Sequence, residues 1–303
     1  MAWGILLYGI SKFSKASFAT TDYSVVVVAE LALPIYKKSM KRKIYTRSHN
    51  INLLKEIDNN GNQFSAKEHA YFIEKEFGNT VFRTKEALLR DYLSGNSLKL
   101  GALGFLIERI TNNGYRNILS LGSGQCVLEY LLKLSLPEES EIIATDFDTY
   151  FIEKAKSFFP EITSVTFDFF KDDIISLQNN LNVKFDIAVF FGSAYVMDDP
   201  YFIKLFADLK KIGVKEIVDF HAGYMDLKDV IVNVIVSLLR PFARNSAIRR
   251  VFHKCPVDKY KYIGKFHGYS RNRTELRKLY CKAGFKLHKE LSVPGYKYVA
   301  ILK

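Results

Sequence analysis

Residues 117–132 read NILSLGSGQCVLEYLL. A short apolar run ends at Leu121, a turn holds Gly122 and Gly124, and VLEYLL then repeats its apolar residues at helical spacing. A glycine turn between a strand and a helix lets backbone approach a ligand closely, while the helix start presents free N–H groups to a negative group. By itself a GSG turn specifies little, because an ordinary strand-to-helix turn needs one glycine about as often. Cys126 stands where a third glycine would complete a GxGxG pattern. This third site tolerates a small side chain if backbone approach there is less tight.

Working outward, β-type runs alternate with helical patterns from about residue 115. The runs are NILSL (117–121), EIIAT (141–145), SVTF (164–167), FDIAVFF (185–191) and KEIVDF (215–220), and VLEYLLKLSL, TYFIEKAKSFF and YFIKLFADLKKIG lie among them. This alternation predicts an α/β domain, doubly wound around a parallel sheet covered on both faces. TELRKLYCKAGF (274–285) reads as a helix ending near Gly284. FKLHKELSV and KYVAILK follow with only PG between them and pair most simply as an antiparallel hairpin. Five parallel strands closed by such a hairpin make a seven-stranded sheet with an unusual edge.

Before residue 115 the pattern is helical, with three-to-four spacing over 66–77, 85–94 and 102–112 and Gly114 placed to cap the last. Two domains are expected: a helical cap or substrate region over 1–112 and an α/β domain over 113–303, with an insertion at about 224–273. The segment 57–65, IDNNGNQFS, is a polar joint within the first. The insertion is longer than a plain crossover and is expected to begin with a helix over 227–239.

Composition bounds the function classes. A chain of 303 residues with 48% hydrophobic residues buries a sizeable core. The net charge of +12 favours anionic surroundings, whether nucleic acid, phosphorylated or carboxylated molecules, or acidic lipid. Cys126, Cys255 and Cys281 lie far apart without a CxxC pair, so neither a disulfide framework nor a metal site is expected, and a cytoplasmic home follows. In MAWGILLYGI the lysines follow the apolar run, the wrong order for a secretory signal. The apolar stretches 25–36 and 229–239 fall short of the about 20 uninterrupted residues that span a bilayer.

The second strand adds a second feature to the turn. EIIATDFD sets Asp146 at its carboxyl end, about twenty residues after the glycines, where an acid can accept both ribose hydroxyls of an adenosine. With ILSLGSGQC, ATDFD, VTFDFFKDD, FDIAVFFGSAYVMDD and the late AGF before a hairpin, residues 100–303 resemble the class I S-adenosylmethionine-dependent methyltransferases, whose sheet is Rossmann-like. A dinucleotide-binding dehydrogenase competes less well. Its GxGxxG is missing, since Gln125, Cys126 and Val127 follow Gly124, and its sheet would not end in a hairpin.

The resemblance implies S-adenosylmethionine as cofactor and assigns residues to it. Gly122, Ser123 and Gly124 would approach the methionine part, Asp146 the ribose, and Phe147 the adenine. Asp168 would accept from the adenine amino group with Phe169 packing nearby, and Asp172 and Asp173 rival it for that role. Phe191 and Gly192 would border the sulfonium. The family often has an acid two residues before the first glycine, helping to hold the methionine amino group; Ser120 stands there.

Attack on a sulfonium methyl is a displacement on an activated carbon, so a base is needed only where the acceptor must lose a proton early. His221, in FHAGY after the fifth strand, leads as that base, because strand ends face the crevice and imidazole titrates near neutrality. Tyr195 is the second catalytic candidate; Asp198 and His267 are weaker ones. A small molecule methylated on O or N is the first expectation. FFGS after the fourth strand is not the NPPY-like tetrapeptide of nucleic-acid amino-methyltransferases, and no cysteine pair for pyrimidine C5 chemistry occurs.

Basic residues interleave with Phe242, Phe252, Tyr260, Tyr262, Phe266 and Tyr269 over 240–273. That pattern suits RNA, an anionic small molecule or a peripheral membrane surface, and equally a solvated face. The run KKSMKRKIYTR over 37–47 has the same readings. An RNA methyltransferase is the runner-up, a non-catalytic scaffold retaining the fold is the alternative from another class, and transfer of the aminopropyl or aminocarboxypropyl group is a third variant. Oligomeric state is left open.

Overall fold

A computed structural model describes residues 42–45, 84–95, 97–227, 229 and 266–303. The expected helices over 66–77 and 227–239 and most of the basic stretch 240–273 lie outside the described residues. By contacts the chain divides into Met1–Lys41 with Met225–Cys255, and Arg42–Tyr224 with Pro256–Lys303. Nearly all described residues belong to the second unit.

Its centre is a seven-stranded sheet. In chain order the strands are β2 (Asn117–Leu121), β3 (Glu141–Asp146), β4 (Thr163–Thr166), β5 (Ile187–Phe191), β6 (Glu216–Phe220), β8 (Leu287–Val293) and β9 (Tyr296–Leu302). The spatial order is β4-β3-β2-β5-β6-β9-β8, with the five strands β2 to β6 parallel, β9 antiparallel to β6, and β8 antiparallel to β9. The expected seven strands and terminal hairpin are therefore present.

The central strands form because they are apolar on both faces. Ile118 and Ile187 point into one cluster, Leu119 and Ala188 into the other, and all four are fully buried. Each large apolar side chain taken from water stabilises the fold by about 1.5–3 kcal/mol. On one face pack α1 (Lys85–Gly95), α2 (Ser97–Asn113), α3 (Val127–Ser135) and α4 (Thr149–Phe158), through Leu88, Leu106, Leu132 and Ala155. On the other pack α5 (Ile174–Leu181), α6 (Asp199–Lys211) and α7 (Arg273–Lys282), through Leu177, Phe206 and Leu279. Phe190, Phe206 and Phe202 stack in series there, with centroid separations of 4.9 and 4.2 Å.

Side-chain caps start the helices. Asp148 accepts from Tyr150 N at 2.9 Å ahead of α4, Asp173 from Ser176 N at 3.0 Å ahead of α5, and Asp198 from Tyr201 N at 3.2 Å ahead of α6. Asn272 and Glu275 form a reciprocal capping box on α7. Gly114 and Gly284 follow α2 and α7 with φ of 64° and 84°, at the two ends where glycine is expected.

Three features differ from the sequence reading. Arg42–Tyr45, inside the region expected to be helical, is a strand, β1, paired antiparallel with β7 (Phe266–Ser270). A four-residue strand whose partner lies more than two hundred residues away leaves no local alternation to read. Helix α5 has no readable apolar period in the sequence beyond the acids that could cap it, because only Ile174 and Leu177 of its eight residues are buried. The third strand runs from Thr163 to Thr166, one residue earlier at each end than SVTF, although Phe167 N still donates across the ladder to Asp146 O of β3 at 2.9 Å.

Candidate active site

The chain runs outward from β2 through β3 to β4, then returns to β5 on the other side of β2. Between β2 and β5 the winding reverses, and in such sheets the crevice at the carboxyl ends of the strands takes the ligand. Two glycines flank it. Gly122, after β2, has φ of +74°, and a Cβ there would lie 2.4 Å from Ser193 Cβ and 3.4 Å from Phe169 Cζ. Gly192, after β5, also has φ of +74° and packs within van der Waals reach of Ala222 and Tyr296. Ser193 Oγ donates to Leu121 O, so the two strand ends are tied together.

The turn after β2 is held from β3. Gly122 N and Ser123 N both donate to Thr145 O at 2.8 Å, and Gly124 N donates to Asp146 Oδ2 at 2.8 Å. Asp146 Oδ1 accepts from Asp148 N at 3.0 Å. Thus the acid expected to meet ribose also fixes the glycine turn. Cys126 is fully buried and left-handed, with φ of 55°, a conformation that costs a non-glycine residue about 1 kcal/mol or more. Its backbone keeps the shape of a third glycine, while Sγ packs 3.2 Å from Ser123 Oγ. Burial, then the nearby Glu129 carboxyl, push its thiol far above the usual range.

The remaining expected cofactor residues divide into two groups. Phe169 lies beside Gly122, with Phe167 and Phe190 against it, and Phe191 stacks on Phe220 at 4.8 Å next to Gly192. Phe147 sits half-buried after Asp146. The three rival acids after β4 have separate engagements. Asp168 accepts from Phe170 N at 2.9 Å and Lys171 Nζ at 2.7 Å, Asp172 accepts from Asp168 N at 2.7 Å, and Asp173 caps α5.

The catalytic candidates come together around Gly223. A Cβ on Gly223 would lie 2.4 Å from Tyr269 O, 2.7 Å from Tyr195 Cβ and 3.4 Å from His221 Nε2. Tyr195 stands in a short 3₁₀ turn, Ala194–Val196, after β5, and burial pushes its phenol up to about 12. Asp198 is engaged as a helix cap, and the His267 side chain lies outside the described residues.

His221 has a partner that sequence reading missed. Asp219, fully buried on β6, holds His221 Nδ1 at 3.1 Å and accepts from Tyr280 OH at 2.7 Å through the same Oδ2. With Nδ1–H donated to that carboxylate, Nε2 carries the lone pair, and it has no hydrogen-bond partner among the described residues. Residues two apart on a strand share a face, so the pair Asp219 and His221 was within reach of VDFH read as a strand. Arg271 is a second missed residue. It is buried between Phe202 and Tyr269, donates to Met197 O at 2.6 Å and pairs with Asp199 at 3.1 Å.

Strand order, the parallel core and the antiparallel pair at one edge define the fold of the class I S-adenosylmethionine-dependent methyltransferases, and this chain has it. No protein-family model matches the chain, and no curated protein is similar to it. Solved structures are similar at low identity. Human N-acetylserotonin methyltransferase, solved with S-adenosylmethionine, is 17% identical over 83% of this chain and 65% of its own, with a TM-score of 0.42. The methyltransferase SibL in its apo form is 11% identical over 99% of this chain and 74% of its own, at 0.48. Magnesium protoporphyrin IX methyltransferase of Synechocystis, with bound S-adenosylhomocysteine, is 12% identical over 66% and 80%, at 0.40. This chain thus spans slightly less than two thirds of the human protein's length. Among the described residues no helix is long and apolar enough to cross a membrane.

Proposed function

We propose that this protein is an S-adenosylmethionine-dependent methyltransferase whose acceptor is a hydroxyl or amine of a small anionic or aromatic molecule, with a hydroxyl preferred. The observation that carries this reading is the Asp219–His221 pair at the carboxyl end of β6, one strand from Gly192, with Nε2 unpartnered among the described residues. A hydroxyl gains nucleophilicity when such a nitrogen accepts its proton, and an oriented imidazole contributes about 10²- to 10⁴-fold.

The chain's groups fit the cofactor. Gly122 and Gly192 let the ends of β2 and β5 close up at the reversal point, with Ser193 packed on the first and Tyr296 on the second, and Asp146 stands at the end of β3 beside the turn. When bound, the cofactor supplies a methyl group on sulfonium sulfur, already activated toward displacement. Asp146 would hold the ribose, and Phe147 and Phe169 would pack against the base. Phe191 and Gly192 would border the sulfonium. His221 Nε2 would take the acceptor's proton, Asp219 would stabilise the imidazolium so formed, and Tyr195 would line the acceptor's place. Water exclusion would fall to the aromatic walls on either side of Gly223.

Asp146→Ala is expected to weaken S-adenosylhomocysteine binding by about 1–3 kcal/mol, as loss of a buried hydrogen-bonded carboxylate does. Titration calorimetry reads it, and unchanged affinity would remove Asp146 from the site. The test of the function itself is turnover on a panel of phenols, carboxylated phenols and amines. The product S-adenosylhomocysteine is measured alongside the methylated acceptor. Methylation of carboxylated or plain phenols supports the reading; turnover confined to RNA, or transfer of an aminopropyl or aminocarboxypropyl group, would replace it.

A further inference from the structure

We infer that Glu129 receives the ammonium group at the amino-acid end of the cofactor, doing from the helix after the turn what Ser120 on the strand before it does not do. The inference rests on the proposed cofactor and concerns a residue that neither the motif spacing nor the fold assigns.

Glu129 lies in the first turn of α3 and is 1% exposed. Ser120 Oγ donates to its Oε1 at 2.6 Å, and Oε2 has no hydrogen-bond partner among the described residues. An acidic residue in the first turn of a helix is ordinarily a solvated complement to the helix dipole. This one is enclosed, and a buried carboxylate oxygen without a partner is costly unless a donor or cation arrives.

The groups around it place the orphan oxygen at the reversal point. Ser120 stands on β2, two residues before Gly122, and Asp146, at the end of β3, acts on Glu129 by like charge. Cys126, in the turn itself, and Tyr92, on α1, feel Glu129's charge. Tyr296, on β9, feels it too, and its hydroxyl lies 3.4 Å from where a Cβ of Gly192 would be. The carboxyl is therefore anchored on β2 through Ser120, two residues before the glycine turn, and lies within electrostatic reach of Asp146 and of the Tyr296 that packs on Gly192. An α-ammonium has one positive charge and three donors; it matches one free carboxylate oxygen beside a serine hydroxyl.

One cation is already near. Lys99, on α2, favours the charged form of Glu129, yet it is half-buried, burial lowers its own pKa, and its Nζ stands 5.7 Å over the Tyr92 ring. No salt bridge joins Lys99 to Glu129 among the described residues. Burial, outweighing the Ser120 hydrogen bond, holds Glu129 at about 7. A bound ammonium favours the carboxylate, so binding near pH 7 would release a fraction of a proton from this group.

The test is titration calorimetry at pH 7 with two ligands, S-adenosylhomocysteine and 5′-methylthioadenosine, which lacks the amino-acid end. Glu129→Gln keeps the size and the Ser120 contact. It is expected to lower affinity for S-adenosylhomocysteine about 10- to 100-fold, to leave methylthioadenosine binding unchanged, and to abolish the proton release seen between buffers of different ionisation enthalpy. Adding Ser120→Asp to Glu129→Gln should restore much of the lost affinity. Equal binding of S-adenosylhomocysteine by wild type and Glu129→Gln would overturn the assignment. So would equal loss of both ligands, or a selective loss that the double variant leaves unrestored, since each would make Glu129 a packing residue. If wild type bound neither ligand, the cofactor reading itself would fall, which is a separate and visible result.

Discussion

His221→Ala lowers kcat about 10²- to 10⁴-fold with little change in cofactor affinity, if the Asp219–His221 pair removes the acceptor's proton. Asp219→Asn is expected to act in the same direction. An amide in place of the carboxylate no longer selects Nδ1–H, so Nε2 loses the lone pair it needs. Asp219 also anchors Tyr280 OH at 2.7 Å, and its variant therefore carries a stability cost that His221→Ala does not share. Stopped assays across pH separate the two effects: loss of the base removes a titration from the kcat profile, whereas loosened packing leaves its shape alone. A His221→Ala enzyme with wild-type turnover would make the histidine a core residue that happens to face Gly223.

Arg109→Ala is expected to destabilise the fold by about 3–5 kcal/mol, the largest effect on stability foreseen for a single change. Arg109, on α2, grips Glu216 at the start of β6 with two hydrogen bonds, one of them Nη2 to Oε2 at 2.6 Å, and the Glu216 side chain is 0% exposed. Tyr115 OH at 3.4 Å is its neighbour. Removing the guanidinium leaves the buried carboxylate with only the long contacts to Tyr115 OH at 3.4 Å and Lys303 Nζ at 3.8 Å, while Arg109→Met combined with Glu216→Leu removes that pair and should cost far less. Urea midpoints of the two single variants and the double give the coupling directly. A loss under about 1 kcal/mol for Arg109→Ala would mean that water reaches Glu216 in solution.

The buried Glu129 adds a pH dependence of opposite sign to the ordinary carboxylate. Burial raises its pKa to about 7, above the ordinary glutamate value of about 4.5, so the stability it lends the ligand-free protein is complete below about 4.5 and is lost as pH rises through 7. Glu129→Gln should accordingly melt higher than wild type at pH 8 without ligand, although it binds the cofactor less well. Stability surrendered at a binding site is the usual trade.

The strand-turn-helix at 117–132 and Asp146 were legible because alternation, glycines and a strand-end acid are all local signals. The terminal hairpin was legible for the same reason: PG separates two strand patterns. Residues that work through distant contacts were not. Tyr280 meets Asp219 across 61 positions, and β1 meets β7 from opposite ends of the chain. Glu129 reads in sequence as an ordinary first-turn acid, and only burial reveals that its oxygen lacks a partner. Cys126 was read as a tolerated small side chain. The left-handed backbone shows that it fills the conformation of the glycine it replaces.

The most direct measurement is titration of the purified protein with S-adenosylmethionine and S-adenosylhomocysteine. Micromolar binding of both, one per chain and weakened by Asp146→Ala, is the predicted result. Absence of binding to either at millimolar concentration would contradict a cofactor site at the Gly122–Gly192 crevice and leave a methyltransferase fold that serves as a scaffold.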